Sequence, residues 1–487
     1  MTTPTEMCDI SAVELRRMIG TKEISPVELL ESCIGRIEAV NPAVNALVAM
    51  DLDAARRAAR DAEKAVMRGD ELGVLHGLPT GVKDLNDTAG LRTTYGSPIF
   101  ADHVPEKDER MVAAVRAAGA VIVAKTNTPE WGAGANTRNP VYGATGNPFD
   151  PKRICGGSSG GSAVALSLGM LPVCTGSDTG GSLRIPAAFC GITGFRPSPG
   201  TVPSDKRGFG WAPISVQGPM GRTAADASLM MAAQAGFDSC DPFSTPLDGM
   251  SFRTPQPVDL GRLRVAYTED LGFALVDNDI RAAFRSKVRA FKGLFRECVE
   301  ATPDLGDAND VFEVLRAVGY LARYKAWYDE DPAKLGANVR ANYEQGLSMT
   351  LSDFSRAHSE QTKAYRRVQA FFKDYDLLLC PVTPVTPFPW TQLYMTHING
   401  EKLRTYFHWL ALTYGITNTG HPACAVPCGV DHESMPFGLQ VVGPHKGDAF
   451  TLGAAHALEQ AFAAKPELAR PIPDLSKLNG VVNDFRV

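Results

Sequence analysis

"GGSAVALSLGMLPVCTGSD", residues 160 to 178, reads as a helix of small residues that runs directly into a short apolar strand. The same order recurs upstream, where "DERMVAAVRAAGA" (108 to 120) reads as a helix and leads into "VIVAKTN" (121 to 127), a β-branched run suited to a buried strand. Helix and strand in alternation predict an α/β fold, a sheet covered by helices on both faces. Working outward, "SPVELLESCIGRIEAV" (25 to 40) opens with Ser25 as N-cap, Pro26 at the first helical position and Glu28 completing a capping box. "DLDAARRAARDAEKAVMRG" (51 to 69) predicts a second, more exposed helix ending near Gly69. Residues 275 to 375 are charged, aromatic and largely helical in pattern, and the core grammar returns with "DLLLCPVTP", "PACAVPCGV", "PFGLQVVGP" and a last helix, "DAFTLGAAHALEQAFAA". The reading is one domain over 1 to 487: N-terminal helices to about 72, a core from about 73 to 230, a mostly helical insertion from about 275 to 375, and C-terminal core elements from about 376 to 470.

Composition narrows the function classes. With 44% hydrophobic and 21% charged residues the chain is of globular type, and a net charge of −5 without a basic block gives no reason to expect nucleic acid. The expected partner is a small molecule or another protein, with no membrane involvement, since the longest apolar stretches fall short of a spanning helix. The ten cysteines are scattered singly with no C-x-x-C pair, which fits reduced buried thiols. "MTTPTEMCDISAVELRR" lacks the basic and apolar regions of a secretory signal, so a cytoplasmic location is expected. No metal motif is present, and neither metal nor cofactor is called for.

Two glycine-bracketed serine runs carry the chemistry: "GGSSGG" (156 to 161) and "TGSDTGGSLRIP" (175 to 186). Neither contains G-K-[ST], which disfavours a Walker nucleotide loop. The first satisfies G-x-S-x-G with Ser158 as the nucleophile of an α/β-hydrolase-like esterase, a reading that needs a histidine such as His421 or His445 and leaves the second run unexplained. In the second, "DTGGS" places consecutive backbone N–H groups where a turn can aim them at one point, as an oxyanion demands. Cys155 has no base in its local sequence, and His358 reads as a solvated helix residue.

Residues 156 to 197, from "GGSSGGSAVALSLGM" through "LPVCTGSDTGGSLRIPAAFCGITGFRP", closely resemble the amidase signature family of serine hydrolases. "GLPTGVKDLNDTAG" (77 to 90), "AKTNTPEWGAG", "NPFDPKRICGGSSGG", "PACAVPCG" and "PFGLQVVGP" extend the match over most of the chain. The resemblance implies a three-layer α/β/α fold around a large, mixed, twisted sheet. It implies catalysis by Ser182 as the acylated nucleophile, Ser158 as the bridging serine after a cis peptide bond, and Lys83 as the base. Backbone amides of Thr179, Gly180, Gly181 and Ser182 would form the oxyanion hole, and Trp131 and Gly132 would line the acyl pocket, although Trp131 reads equally as core. Lysine is a base only when neutral, so burial must lower its pKa from about 10.4 toward 7; the adjacent Asp84 opposes that shift if it points inward. Asp178 and Arg184 are expected to brace the nucleophile loop as an ion pair, with Ser159, Ser162 and Ser177 as loop hydrogen bonders.

The reaction implied is hydrolysis of a carboxylic amide through an acyl-enzyme, with ester or carbamate cleavage open to the same machinery. The family also holds aryl acylamidases, carbamate hydrolases and the glutaminase component of the tRNA-dependent amidotransferase, whose usual "RYDGVR"-like segment has no counterpart here. "DFSRAHSEQTKAYRRVQ" and "YFHWLALTYG", with Tyr406, Phe407 and Trp409, are candidates to shape the pocket for apolar or aryl amides, and equally for core or dimer contacts. A homodimer is expected by analogy alone. A catalytically dead binding scaffold finds no support, because all three catalytic positions hold the right residue types.

Overall fold

The N-terminal helices form where their end signals place them. In the computed structural model, which describes residues 6 to 487, Ser25 Oγ accepts the N–H groups of Val27 and Glu28, and the Glu28 carboxylate accepts the Ser25 N–H at 2.9 Å. The helix then runs Pro26–Val44 and buries Leu29, Leu30, Cys33, Ile34 and Ile37. The next helix, Leu52–Arg68, buries only Ala55, Ala59 and Val66 and stops at Gly69, whose φ of 78° suits a residue without Cβ. The first five residues of the stretch read as lacking a secretory signal lie outside the described residues. No helix among the described residues is long and apolar enough to cross a membrane.

Eleven strands build one mixed sheet: β1 (Leu47–Met50), β2 (Pro79–Lys83), β3 (Val121–Thr126), β4 (Val173–Asp178), β5 (Thr193–Arg196), β6 (Val216–Gly221), β7 (Arg264–Tyr267), β8 (Glu297–Glu300), β9 (Leu377–Pro381), β10 (Ala423–Val430) and β11 (Pro436–Val442). Their order across the sheet is β1-β3-β2-β4-β6-β5-β10-β11-β9-β7-β8. β2 runs parallel to both β3 and β4, whereas β4 pairs antiparallel with β6, and β10 with β11. Every residue of β2, β6, β9 and β11 is buried, as an interior strand covered on both faces requires. This is the α/β architecture expected, with helices such as Gly160–Ser167, Ala224–Gln234 and Asp448–Ala463 packed against the strands.

Two short strands depart from the sequence reading. β1 sits between the helices Pro26–Val44 and Leu52–Arg68, and β8 lies inside the segment read as a helical insertion. β8 has the sequence ECVE and pairs parallel with β7 at the sheet edge. That segment is otherwise helical, with helices Asn278–Phe291, Ala308–Glu330, Ala337–Leu347 and Leu351–Phe371.

For the site, the decisive pairing is β2 beside β4. Thr80 stands opposite Val173 and Gly81 opposite Cys174 in a parallel pair, so both strands end on the same side of the sheet. Lys83 closes β2 there, Asp178 closes β4, and the "TGGS" turn follows directly.

Candidate active site

Lys83 is fully buried, and its Nζ is ringed by three hydroxyls: Ser158 Oγ at 2.7 Å, Ser159 Oγ at 2.8 Å and Ser177 Oγ at 3.0 Å. Burial without a directly paired carboxylate pulls the ammonium down to about 7, against the pull of the Asp178 charge in the opposite direction. The neighbouring Asp84 does not oppose the shift. Its carboxylate turns away to accept the N–H and hydroxyl of Thr94 at 3.1 and 2.6 Å, and its charge faces Lys125.

Ser158 follows a cis peptide bond from Gly157 and is almost fully buried. Ser159 N–H donates to the Ser182 carbonyl at 3.2 Å, which ties the two serine runs together. Ser182, Ser158, Ser177, Thr179, Trp131 and Gly132 line one cavity of about 180 Å³. Among the described residues, no acceptor takes the N–H groups of Thr179, Gly180 or Ser182, so three amides stand free in the turn. Gly181 differs: its N–H donates to Asp178 Oδ1 at 2.8 Å, and Leu183 N–H donates to Asp178 Oδ2 at 3.2 Å. The reading that counted Gly181 among the oxyanion donors is corrected on this geometry. Its amide holds the turn in shape instead.

Asp178 anchors more than the expected pair. Arg184 reaches it through Nε at 3.0 Å and Nη2 at 2.9 Å, and Arg196 Nη1 lies 3.2 Å from Oδ1, all three side chains fully enclosed. Burial disfavours the carboxylate charge, but the two guanidinium groups outweigh it and hold the carboxyl well below its ordinary range. Arg184 also donates to the Thr413 carbonyl (2.8 Å), Gln440 Oε1 (2.6 Å) and Thr417 Oγ1 (2.9 Å), so residues from the last fifth of the chain grip the loop.

Gly132 stands against Ser158. Its φ is +70°, and a Cβ there would come within 3.3 Å of Ser158 Oγ and 2.8 Å of Leu85 Cδ1. Trp131 belongs to the cavity wall and to an aromatic cluster at once. It stacks on Tyr95 at 5.0 Å and meets Tyr324 and Trp327 at 5.3 and 5.2 Å.

The described chain matches the Amidase family model over residues 28–452. It is 33% identical over 456 residues to an acylamidase of Rhodococcus erythropolis, a match covering 92% of this chain and 95% of that protein. The chain belongs to the amidase signature family. The amidase is also 32% identical to a glutamyl-tRNA(Gln) amidotransferase polypeptide of Chloroflexus aurantiacus, over 94% of this chain and 97% of the other. Among solved structures, a bacterial aryl acylamidase of the same family superposes with a TM-score of 0.86 at 28% identity, covering 95% of this chain and 97% of that one.

Other candidate residues lie elsewhere in the amidase. His421 is buried against Gln369 and Thr419, and His445 contacts Tyr365; neither lines the Ser158 cavity, so the elbow-type esterase has no base in place. Cys155 is enclosed, its thiol pushed up to about 12 by burial, which leaves no thiolate to react. Phe407 and Trp409 are packed in the core, and Tyr406 faces Arg316 and Asn342 from behind; none of the three lines the cavity. The "DFSRAHSEQTKAYRRVQ" helix contributes nothing to it either.

The sequence reading missed a wall of the cavity that Ser182 lines. Leu315, Arg316, Gly319, Tyr320, Arg323 and Tyr324 come from one face of the Ala308–Glu330 helix. Their spacing of three and four is visible as a helical stripe, but nothing in it says which way the stripe faces. The roof is the 204–217 segment, with Lys206 paired to Asp87 at 2.9 Å and Arg207 to Asp241 at 3.0 Å.

Proposed function

We propose that the protein hydrolyses a carboxylic amide through an acyl-enzyme on Ser182, with Ser158 carrying protons between Ser182 and a neutral Lys83. The observation that supports this most is the enclosed Lys83 amine, 2.7 Å from a serine hydroxyl and drawn down to about 7 by burial. A serine hydroxyl attacks an amide only when a base takes its proton. Neutral Lys83 has two N–H bonds and one lone pair. The Ser159 hydroxyl donates to the Ser177 carbonyl at 3.4 Å, so it accepts from Nζ, and Ser177 takes the second N–H. The lone pair is then left for the Ser158 proton.

In the acylation step, Ser182 Oγ bonds to the amide carbon, its proton passes to Ser158 Oγ, and the Ser158 proton passes to Lys83. The carbonyl oxygen becomes an oxyanion before the free N–H groups of Thr179, Gly180 and Ser182. Such preorganised donors are worth roughly 10² to 10³ in rate each. As the C–N bond breaks, Lys83 returns a proton through Ser158 to the departing amine, which cannot leave as an anion. Water then attacks the acyl-enzyme by the same relay, releasing the acid and restoring Ser182 and neutral Lys83. The aromatic wall of Trp131, Tyr320 and Tyr324 suits a flat aryl portion of the substrate, in keeping with the aryl acylamidase and acylamidase relatives.

Fluorophosphonate labelling with peptide mapping tests the assignment. The label is expected on Ser182, lost in Lys83→Ala and strongly slowed in Ser158→Ala. A label on Ser158 in the native protein would overturn it.

A further inference from the structure

The cavity contains a cation that the relay does not use. Arg316 is only 7% exposed, yet no carboxylate among the described residues pairs with it. Its Nε donates to Asn342 Oδ1 at 2.9 Å, and its Nη2 donates to the hydroxyls of Tyr320 and Tyr406 at 3.0 and 2.7 Å. All three partners are neutral, and Nη1 has no partner among the described residues. The rings of Phe312, Tyr320, Tyr406 and Phe407 surround the guanidinium at 5.0 to 5.9 Å. Asn342 is itself held in place, its amide donating to the Asn338 carbonyl and the Tyr406 hydroxyl, each at 2.6 Å. Every other enclosed arginine near the site, Arg184, Arg196 and Arg207, has a carboxylate.

A charge kept this dry without a counter-ion is costly unless a ligand supplies one. The place of Arg316 says what that ligand is. Phe312, one helical turn earlier, abuts Gly180 of the nucleophile turn, where a Cβ would lie 2.9 Å from its ring. Arg316 is therefore about 6 Å further along the same helix face, in the wall of the cavity that holds Ser182. Arg323 continues the stripe, over the rings of Trp131 and Tyr324 at 5.5 and 5.7 Å and likewise without a carboxylate partner among the described residues.

We infer that the amide substrate carries a carboxylate a few bonds from its scissile carbonyl, and that Arg316 is the residue that selects it. This rests on the amide-hydrolase reading above and adds the charge of the substrate to it. The planar guanidinium, its Nε and Nη2 held by Asn342 and two tyrosines, leaves Nη1 open to a carboxylate, which it can take as a charge-assisted hydrogen bond.

The test compares kcat/KM on matched pairs that differ only in charge. Glutaric acid monoanilide against its methyl ester places the anion on the acyl side; 4-acetamidobenzoate against its methyl ester places it on the leaving side. In the native protein one of the two anions is expected to be preferred over its ester by about thirtyfold or more, the scale of a charge-assisted hydrogen bond. Arg316→Gln should cut that preference at least tenfold, and Arg316→Lys should restore part of it. Glutarate should raise the Tm of the native protein where butyrate does not, a readout that needs neither turnover nor a variant. Esters turned over as fast as both anions, or a folded Arg316→Gln with its preference intact, would overturn the inference and leave the amidase reading standing. If no anilide is cleaved and Ser182 is not labelled, the hydrolase reading fails, while the glutarate and butyrate comparison still decides whether Arg316 takes a carboxylate.

Discussion

Lys83 shows how far one residue's surroundings govern its chemistry. An exposed lysine at neutral pH is an ammonium and can accept nothing. Enclosed beneath three serine hydroxyls, the same group sits near 7 and is half available as a base. Activity should therefore rise with pH through about 7, as the amine loses its proton, and level off above. The effect on stability has the same sign. Between about 7 and its unfolded value near 10.4 the lysine binds a proton only when unfolded, so stability climbs with pH across that window. Below about 7 both states are protonated, and the cost of the buried charge is fully felt. Glu109 also lines the cavity, and burial raises it to about 7 as well, so it must be separated from Lys83. The pH profile of kcat/KM in Glu109→Gln should keep its ascending limb; loss of that limb would assign the titration to the carboxyl instead.

Among the elements, the turn between β4 and the Arg184–Cys190 helix is the most demanding. Its two glycines are needed for different reasons. Gly181 has φ +121°, and a Cβ there would overlap Thr413 Oγ1, so Gly181→Ala meets both backbone strain and a fixed neighbour. Gly180 has no such φ, and its added methyl would meet only the tip of Phe312. Gly180→Ala should thus lose fluorophosphonate reactivity and regain much of it with Phe312→Leu, whereas Gly181→Ala should not be rescued; labelling rates in the four variants check this. The contrast also marks what can be read from sequence. Lys83, Ser158 and Ser182 stand out because each lies in a long local motif, and the strands after residues 120 and 170 because their β-branched or apolar runs are continuous. Ser159 and Ser177 are legible only as loop serines, because their contact with Lys83 is made by the pairing of β2 with β4. β8 escapes because ECVE is short, polar and held at an edge by β7 alone. Composition points Tyr406, Phe407 and Trp409 toward the pocket, but aromatic content carries no direction, and the fold turns Phe407 and Trp409 into the core.

Across the whole molecule, distant parts of the chain close on one another. The tail returns to the N-terminal helix, with Gly480 N–H donating to the Ala39 carbonyl and Asn483 N–H to the Pro42 carbonyl, each at 3.2 Å. Phe485 accepts the Ala144 N–H at 2.8 Å and buries its ring beside Trp390. Phe485→Ala should cost about 3 kcal/mol, the low end for a buried phenylalanine, seen as a lower midpoint in urea unfolding. The grip of Thr413, Thr417 and Gln440 on Arg184 has a consequence in time. If Ser182, Ser158 and Lys83 act as proposed, a chain under synthesis has every side chain of that relay once Ser182 has emerged, yet the loop after β4 still lacks its outer supports. More than two hundred further residues must be made before Gln440 arrives. On the proposed mechanism the nascent polypeptide is in this sense loaded but unarmed, and it should become competent to cut only once Gln440 has joined the loop.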